Sequence, residues 1–241
     1  MKVEGRNAVY ELLKTDKEID KVLVQKDLKD DASKRLINVL RSHKVKVQVV
    51  DKYVIEKESE SKRSQGFIAY VSDYKYFEIE DILDATQDKD GIIVVLNEIL
   101  DPHNLGSIIR VCECAGVDGL IIGKDRSASV NDTVMRISAG ALNHVKVARV
   151  TNINHAIDTL KENGYWVYGA EVGGEQIYKA NLTGKICLVI GGEDSGVKRL
   201  TKEKCDGIIS IPMFGKVNSL NASVACGVVV YEVVRQKISK E

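Results

Sequence analysis

Three polar segments of the chain contain the residue types that can hold a nucleotide-like ligand and stabilise developing charge. They are NEILDPHNLGSIIR (97–110), GGEDSGVKR (191–199) and IPMFGKVNSLNASVACG (211–227). Pro102 and Pro212, the only two prolines of the chain, stiffen the first and third segments. Glycines in all three segments allow a backbone to approach a ligand closely. These three segments therefore contain the candidate functional residues.

The side chains there that can take part in chemistry are of two kinds. The neutral donors and acceptors are Asn104, Ser219 and Asn221, and the charged groups are Arg110 and Glu193. Two common nucleotide-binding motifs are missing. The chain has no G-x-G-x-x-G dinucleotide motif, and its second segment lacks the G-K-[ST] of a phosphate loop. Ser195 lacks the glycine two places earlier that a nucleophile elbow requires. The cysteines lack metal-ligand spacing, so the sequence predicts no metal site.

The second part of the chain, residues 91–241, alternates between strand and helix patterns. The apolar run GIIVVLNEI (91–99) is typical of a strand that is buried on both faces. Further strands are predicted at 119–123, 145–150, 165–171, 185–192 and 207–213, and helices at 104–116, 131–141, 153–163 and 219–237. This alternation predicts an α/β fold with a parallel sheet and helices on both faces. Ligands bind outside the carboxyl ends of such strands, which is where the three polar segments lie.

Residues 1–72 form a smaller predicted α/β unit. A helix is expected from Asn7, strands at 21–25, 45–51 and 66–72, and a second helix at 32–44. The charged segment 56–66 is either a solvated loop or a flexible arm that becomes ordered on a ligand. The acidic segment 73–90 is expected to be a linker between the two units.

The charge of the chain is balanced overall but unevenly distributed. Among 241 residues, 35 are Lys or Arg and 35 are Asp or Glu, with a net charge of +4 on residues 1–72 and −5 on residues 73–90. The basic first unit is compatible with a polyanionic partner, and ordinary surface charge explains it about as well. No apolar run approaches membrane-spanning length and the first residues lack a signal-peptide profile, which favours a cytoplasmic protein. The five cysteines are expected to be reduced thiols, mostly buried.

Taken together, the three segments resemble the motifs of the SpoU (TrmH-like) family of RNA ribose 2′-O-methyltransferases, within the SPOUT superfamily. The first motif is matched by Asn97, Glu98, Asp101, Pro102, Asn104, Gly106 and Arg110. The second is matched by Gly191, Glu193 and Gly196, and the third by Ile211, Pro212, Met213, Gly215, Ser219, Leu220, Asn221, Ser223 and Ala225. Three motifs in the right order make the resemblance specific.

The resemblance implies a carboxy-terminal SPOUT domain with a deep trefoil knot, a homodimer, and S-adenosylmethionine as the cofactor. It places cofactor contacts at Gly191, Ile211 and Leu220. It also implies that Arg110 is central to catalysis, with Asn104, Glu193, Ser219 and Asn221 in support. A guanidinium is always protonated, so we expect Arg110 to grip a phosphate and to stabilise a developing alkoxide. The competing interpretation of Arg110 is a structural ion pair with Glu193 or Glu98.

The first unit also takes part in the resemblance. GRNAVYELL (5–13) and SQGFIA (64–69) are similar to the amino-terminal RNA-binding module, itself like a small ribosomal protein, of the subgroup that methylates a guanosine of 23S ribosomal RNA. This similarity implies that Arg6, Asn7, Lys62 and Arg63 bind RNA and that the partner is large-subunit ribosomal RNA. Two other functions stay open: a transfer-RNA ribose methyltransferase, and a catalytically silent RNA-binding or ribosome-assembly factor with the same fold.

Overall fold

The structure is a computed structural model that describes residues 1–15, 17–72, 74–192 and 196–239. It divides into two compact units, Met1–Lys75 and Tyr76–Glu241. Within the described residues, no helix combines the length and the apolar character that crossing a membrane requires. All five cysteines are free, three of them buried, one half-buried and one, Cys114, exposed.

The first unit is a four-stranded sheet with three helices. Its strands are β1 (Lys2–Glu4), β2 (Glu18–Gln25), β3 (Val47–Val50) and β4 (Phe67–Ser72), in the order β1-β4-β2-β3. Its helices are α1 (Arg6–Leu12), α2 (Asp31–Ser42) and α3 (Lys52–Glu58). Only β2 and β3 pair in parallel, and β4 is antiparallel to both of its neighbours.

The core of the first unit follows from its apolar spacing. Leu36 and Leu40 lie one turn apart on α2 and are buried with Phe67 of β4. On α3, Ile55 is buried in a second cluster with Leu23 and Ile68. Strand β1 and helix α3 were not expected from the sequence, since both are short and α3 begins just after a predicted strand.

The second unit is built on a six-stranded sheet in which every pairing is parallel, which confirms the predicted fold class. The strands are β5 (Ile92–Asn97), β6 (Gly119–Gly123), β7 (Lys146–Val150), β8 (Trp166–Gln176), β9 (Ile186–Gly191) and β10 (Gly207–Ser210). Their order is β10-β8-β9-β5-β6-β7. The first of these, β5, is buried along its whole length, as expected for a strand covered on both faces.

The helices of the second unit are α4 (Ile79–Asp84), α5 (Pro102–Cys114), α6 (Asp132–Ile137), α7 (Ile153–Glu162), α8 (Arg199–Lys204) and α9 (Ala222–Ile238). Helices α4 and α7 bury apolar residues against one face of the sheet. Helix α9 contacts β9 and packs against α5, where Cys112 and Cys226 are both fully buried. A hydrogen bond with Cys226, together with burial, raises the pKa of the Cys112 thiol well above its usual range.

The segment 73–90 differs from its expected role as a linker. The boundary between the units falls at Lys75, and the N–H of Phe77 donates to the carbonyl oxygen of Val147 at 3.0 Å. Ile79 and Ile82 of α4 belong to the core of the second unit. The linker interpretation is wrong for this part, because the excess of acidic residues hides a short apolar stripe at helical spacing.

Candidate active site

A cavity of about 510 Å³ lies at the carboxyl ends of β8, β9 and β10. This is the edge of the sheet where a ligand is expected. The residues that line the cavity are Ala170, Glu171, Val172, Ile190, Gly191, Gly192, Gly196, Ile209, Ile211, Met213, Asn218, Ser219, Leu220, Ala222 and Ala225. Four of the residues that the sequence assigned to catalysis or cofactor binding are among them: Gly191, Ile211, Ser219 and Leu220.

The lining of the cavity fits the cofactor that the sequence implies. Its volume is within the range of small-ligand sites, and Ile211 and Leu220 supply apolar surface of the kind that packs on an adenine. Gly191 has no room for a side chain, because a Cβ there would lie 2.1 Å from the carbonyl carbon of Gly196. The backbone at the end of β9 is therefore close-packed against Gly196 and Val197, and Gly191 also lines the cavity.

Strand β8 is irregular where it borders the cavity. Its register with β10 shifts between Ile208, which pairs with Gly169, and Ile209, which pairs with Glu175. The intervening residues 170–174 have no partner in β10, as in a large bulge, and they include Glu171. Among the residues that the structure describes, Glu171 is the only charged one that lines the cavity.

Sequence reasoning missed Glu171, Met213 and Asn218 as residues of the cavity. The signal for Glu171 is the pair Gly173–Gly174, which follows the predicted strand 165–171 and lies inside β8, because glycine inside a strand often marks a bulge. At Gly174 a Cβ would lie 2.4 Å from the carbonyl oxygen of Ile208, so the bulge needs glycine there. Ala225, which matches the third motif, also lines the cavity.

Asn104 and Asn221 are brought together by helices α5 and α9. The side-chain Nδ2 of Asn221 donates to Oδ1 of Asn104 at 2.9 Å, and Asn104 is buried. The Oδ1 of Asn221 caps α9 by accepting the N–H of Ser223 at 2.9 Å and the N–H of Val224 at 3.4 Å. The first and third motifs are therefore joined through an amide pair beside Ser219 and Leu220 of the cavity wall.

Arg110 lies on the exposed side of α5 and does not line the cavity. Its guanidinium makes no ion pair or hydrogen bond with any other residue that the structure describes. Glu98, one of the two acids considered as its structural partner, instead pairs with Lys198 at 3.0 Å and Arg126 at 3.5 Å. The other, Glu193, lies outside the described residues.

The RNA-binding candidates of the first unit lie on neighbouring turns. Asn7, Lys62 and Arg63 are exposed, whereas Nη1 of Arg6 pairs with Asp30 at 2.8 Å. The backbone N–H of Arg6 also donates to Oε1 of Gln65 at 3.2 Å, which ties the start of α1 to the turn 62–65. The candidates thus share one edge of the unit.

Glu4 holds the turn that leads to Lys62 and Arg63. Its carboxylate accepts hydrogen bonds from the Ser59 hydroxyl at 2.7 Å, the residue-60 N–H at 2.6 Å, the residue-61 N–H at 3.2 Å, and the Ser61 hydroxyl. These bonds lower the pKa of Glu4 from 4.5 to about 2, and the bond from the Ser61 hydroxyl has the largest effect. The segment 56–66 was expected to be a solvated loop or a flexible arm, but residues 56–58 belong to α3 and residues 59–61 form an anchored turn.

The two units match two known families of sequence. Residues 91–231 match the SpoU rRNA Methylase family, and residues 2–77 match the RNA 2′-O ribose methyltransferase substrate-binding family. The putative TrmH family tRNA/rRNA methyltransferase of Staphylococcus saprophyticus is 42% identical over 238 residues, which are 98% of this chain and 95% of the relative.

Solved structures share the whole fold. The SpoU methyltransferase AviRb from Streptomyces viridochromogenes, in complex with AdoMet, superposes with a TM-score of 0.65 at 24% identity, over 99% of this chain and 91% of that one. The AdoMet-bound rRNA methyltransferase from Sinorhizobium meliloti gives 0.62 at 21% identity, over 97% and 86%. At these identities the likeness shows the fold.

Fold, cavity and motifs together define an RNA methyltransferase with a separate substrate-binding unit. The chain belongs to the SpoU (TrmH) family of RNA 2′-O-methyltransferases. Its methyl donor is S-adenosylmethionine, as in the rest of this family.

Proposed function

We propose that the chain transfers a methyl group to the ribose 2′-hydroxyl of a guanosine in 23S ribosomal RNA. The match of residues 2–77 to a substrate-binding family supports RNA as the substrate. The choice of ribosomal RNA rests on the resemblance of GRNAVYELL (5–13) and SQGFIA (64–69) to the module of the subgroup that methylates 23S ribosomal RNA. The first unit's exposed cations Lys62 and Arg63 directly follow the anchored turn 59–61, and such cations can contact the phosphates of an RNA backbone. Only 5% of the residues are aromatic, which disfavours reading many single-stranded bases by stacking.

In the proposed reaction Arg110 is the group that stabilises charge. The methyl group of the bound cofactor would pass from the sulfonium sulfur, which leaves as a neutral thioether, to the ribose oxygen, whose proton is released to solvent. A guanidinium cannot take that proton, but it can hold a substrate phosphate and stabilise the developing alkoxide. Arg110 is exposed and unpaired among the described residues, so it is available for this role.

The remaining candidates orient the reactants. Ser219 lines the cavity and can donate or accept a hydrogen bond there. Asn221 and the buried Asn104 fix the start of α9, and with it the loop that carries Ser219. Glu193 is assigned to ordering this site or contacting substrate, on the resemblance alone.

We also propose that the protein acts as a homodimer. Helix α9 presents exposed apolar residues at helical spacing, namely Val224, Tyr231 and Ile238, and Phe214 in the preceding loop is 96% exposed. Such a stripe suits a second copy of the chain. The deep trefoil knot of the family is part of the same proposal.

One experiment tests reaction and target together. The gene is deleted, and 2′-O-methyl marks are mapped across ribosomal and transfer RNA. Loss of a single mark on a 23S guanosine, restored by the wild-type gene, is the expected result. Loss of a transfer-RNA mark instead would make the protein a transfer-RNA methyltransferase, and no lost mark at all would refute the proposal. Sedimentation of the purified chain beside Tyr231→Asp tests the dimer, which should dissociate in the variant.

A further inference from the structure

Between β9 and α8 the structure describes Gly192 and residues 196–198, here called the turn, and Asn97 at the end of β5 bonds to both of these parts. The N–H of Gly192 donates to the carbonyl oxygen of Asn97 at 2.9 Å. The N–H of Lys198 donates to the side-chain Oδ1 of the same residue, also at 2.9 Å. The N–H of Gly196 closes the base of the turn on the carbonyl oxygen of Gly192 at 2.9 Å. Asn97 is only 6% exposed, so water competes little for these bonds.

Glu171 holds the same turn from the opposite side, where the bulge of β8 places it. Its Oε2 accepts the N–H of Val197 at 3.3 Å, and its other oxygen pairs with the Lys202 ammonium. Val197 is buried, so without this acceptor its N–H would be left without a hydrogen bond. A Cβ at Gly196 would lie 3.3 Å from the Glu171 carboxyl carbon, which shows how closely the carboxylate packs on the turn.

All four described amides of the turn are therefore accounted for, two of them by side chains from other strands. Glu171 is not required by the sheet, since β8 pairs with β9 through backbone groups and the core beneath is apolar. Its removal should loosen the turn while the sheet stays intact.

We propose that Glu171 and Asn97 are positioning residues for methyl transfer. They hold the N–H groups of Gly192, Val197 and Lys198, and so they position Gly192 and Gly196, which line the cavity. A site that is held in place before the substrate binds avoids reorganisation during the reaction. The effect on methyl transfer rests on the proposed function, whereas the hold on the turn does not.

Hydrogen exchange measured by mass spectrometry on the free full-length chain tests the hold directly. Glu171→Ala removes the acceptor of the Val197 N–H, and exchange in a peptide covering 196–198 should become about tenfold faster, as the loss of one hydrogen bond implies. Glu171→Gln keeps an acceptor oxygen, and Lys202→Met removes only the ion pair. Both should exchange within about threefold of the wild type.

Methyl-transfer kinetics of the same variants provide the second readout. We expect Glu171→Ala to lower kcat about tenfold with little change in KM for RNA, and Glu171→Gln to restore most of it. Asn97→Ala should lower kcat in the same way. Asn97→Asp keeps Oδ1 as an acceptor for the Lys198 N–H and should retain most of the kcat.

Three results would overturn the proposal. The first is unchanged exchange in Glu171→Ala. The second is exchange in Lys202→Met as fast as in Glu171→Ala, which would assign the turn to the ion pair. The third is faster exchange throughout the second unit, which would make Glu171 a stabilising residue only. None of these depends on the RNA target, so a wrong target would leave the exchange result standing.

Discussion

Each unit of the molecule uses a carboxylate to hold a turn, but the surroundings of the two turns are opposite. Glu4 accepts bonds from the hydroxyls of Ser59 and Ser61 near the surface of the first unit. In the second unit Glu171, together with Asn97, holds buried amides beside a cavity lined mainly by glycine and apolar residues.

The difference corresponds to the function that we propose for each turn. The turn of the first unit presents the exposed cations Lys62 and Arg63, and electrostatic contact with a polyanion tolerates small displacements. The turn of the second unit provides backbone that lines a cavity, where a displacement of 1 Å is costly in rate. Substitutions should therefore act gradually in the first unit and steeply in the second.

The largest effect is expected from Arg110→Ala, which removes the proposed charge stabiliser and leaves both turns intact. Methyl transfer should fall by roughly 10³-fold, since no other group can replace the guanidinium. Affinity for S-adenosylmethionine should hardly change, because Arg110 does not line the cavity. Radiolabelled methyl transfer measures the activity, and calorimetry measures the cofactor affinity. Arg41→Ala, at an exposed position of α2 in the first unit, is the control. Full activity in the Arg110 variant would refute the assigned role.

The next largest effect is expected from Gly191→Ala. The added Cβ would lie 2.1 Å from the carbonyl carbon of Gly196 and 2.3 Å from the nitrogen of Val197, so the end of β9 would have to move. Cofactor affinity should fall by about 100-fold or more, while RNA binding by the first unit is preserved. Gly215→Ala is the matched control, because nothing lies within 4 Å of its Cβ position. Calorimetry measures the affinity of each variant for the cofactor. Equal cofactor affinity in Gly191→Ala and Gly215→Ala would contradict the close packing at the end of β9.

The parallel sheet and the place of the site could be predicted from the sequence because both depend on local patterns. The continuous apolar run of β5 indicates a strand covered on both faces, and polar segments that follow strands indicate the ligand edge. Gly191, Ile211 and Leu220 were assigned by resemblance, and all three line the cavity.

What the sequence could not show depends on contacts between distant segments. Asn97 lies 101 positions from Lys198, and Glu171 lies 26 positions from Val197, so no local pattern reports either bond. The short helix α4 was hidden because its apolar residues are few and its acidic residues many. The exposed position of Arg110 is likewise a property of how α5 packs, and its role stays a prediction.

A smaller effect is expected from neutralising the cations of the first unit. The double substitution of Lys62 and Arg63 by Gln should weaken RNA binding about tenfold at low salt and reduce the salt dependence by up to two phosphate contacts. Cofactor affinity should not change. Lys52 and Lys57, which are exposed on α3, give a control double substitution of equal charge. Filter binding over a series of salt concentrations distinguishes the pairs, and identical salt slopes would remove this edge from the RNA interface.

The smallest effect is expected from Glu4→Gln, and it should depend on pH. The pKa of Glu4 is about 2 in the folded chain against an ordinary value of 4.5, so its charged form stabilises the fold fully above pH 4.5. That contribution is lost as the pH falls towards 2. At pH 7 the variant should be destabilised by about 1 kcal/mol, allowing for partial exposure, and the difference should shrink below pH 4.5.

Amide exchange in β4 at a series of urea concentrations reports the stability of the first unit within the full chain. Glu56→Gln on α3 is the control, since its carboxylate pairs only with exposed Lys52 at 3.4 Å among the described residues. If Glu4→Gln lost the same stability at pH 3 as at pH 7, the carboxylate would not be the anchor of the turn. The first turn would then be held by its own backbone, and the parallel with Glu171 would fail.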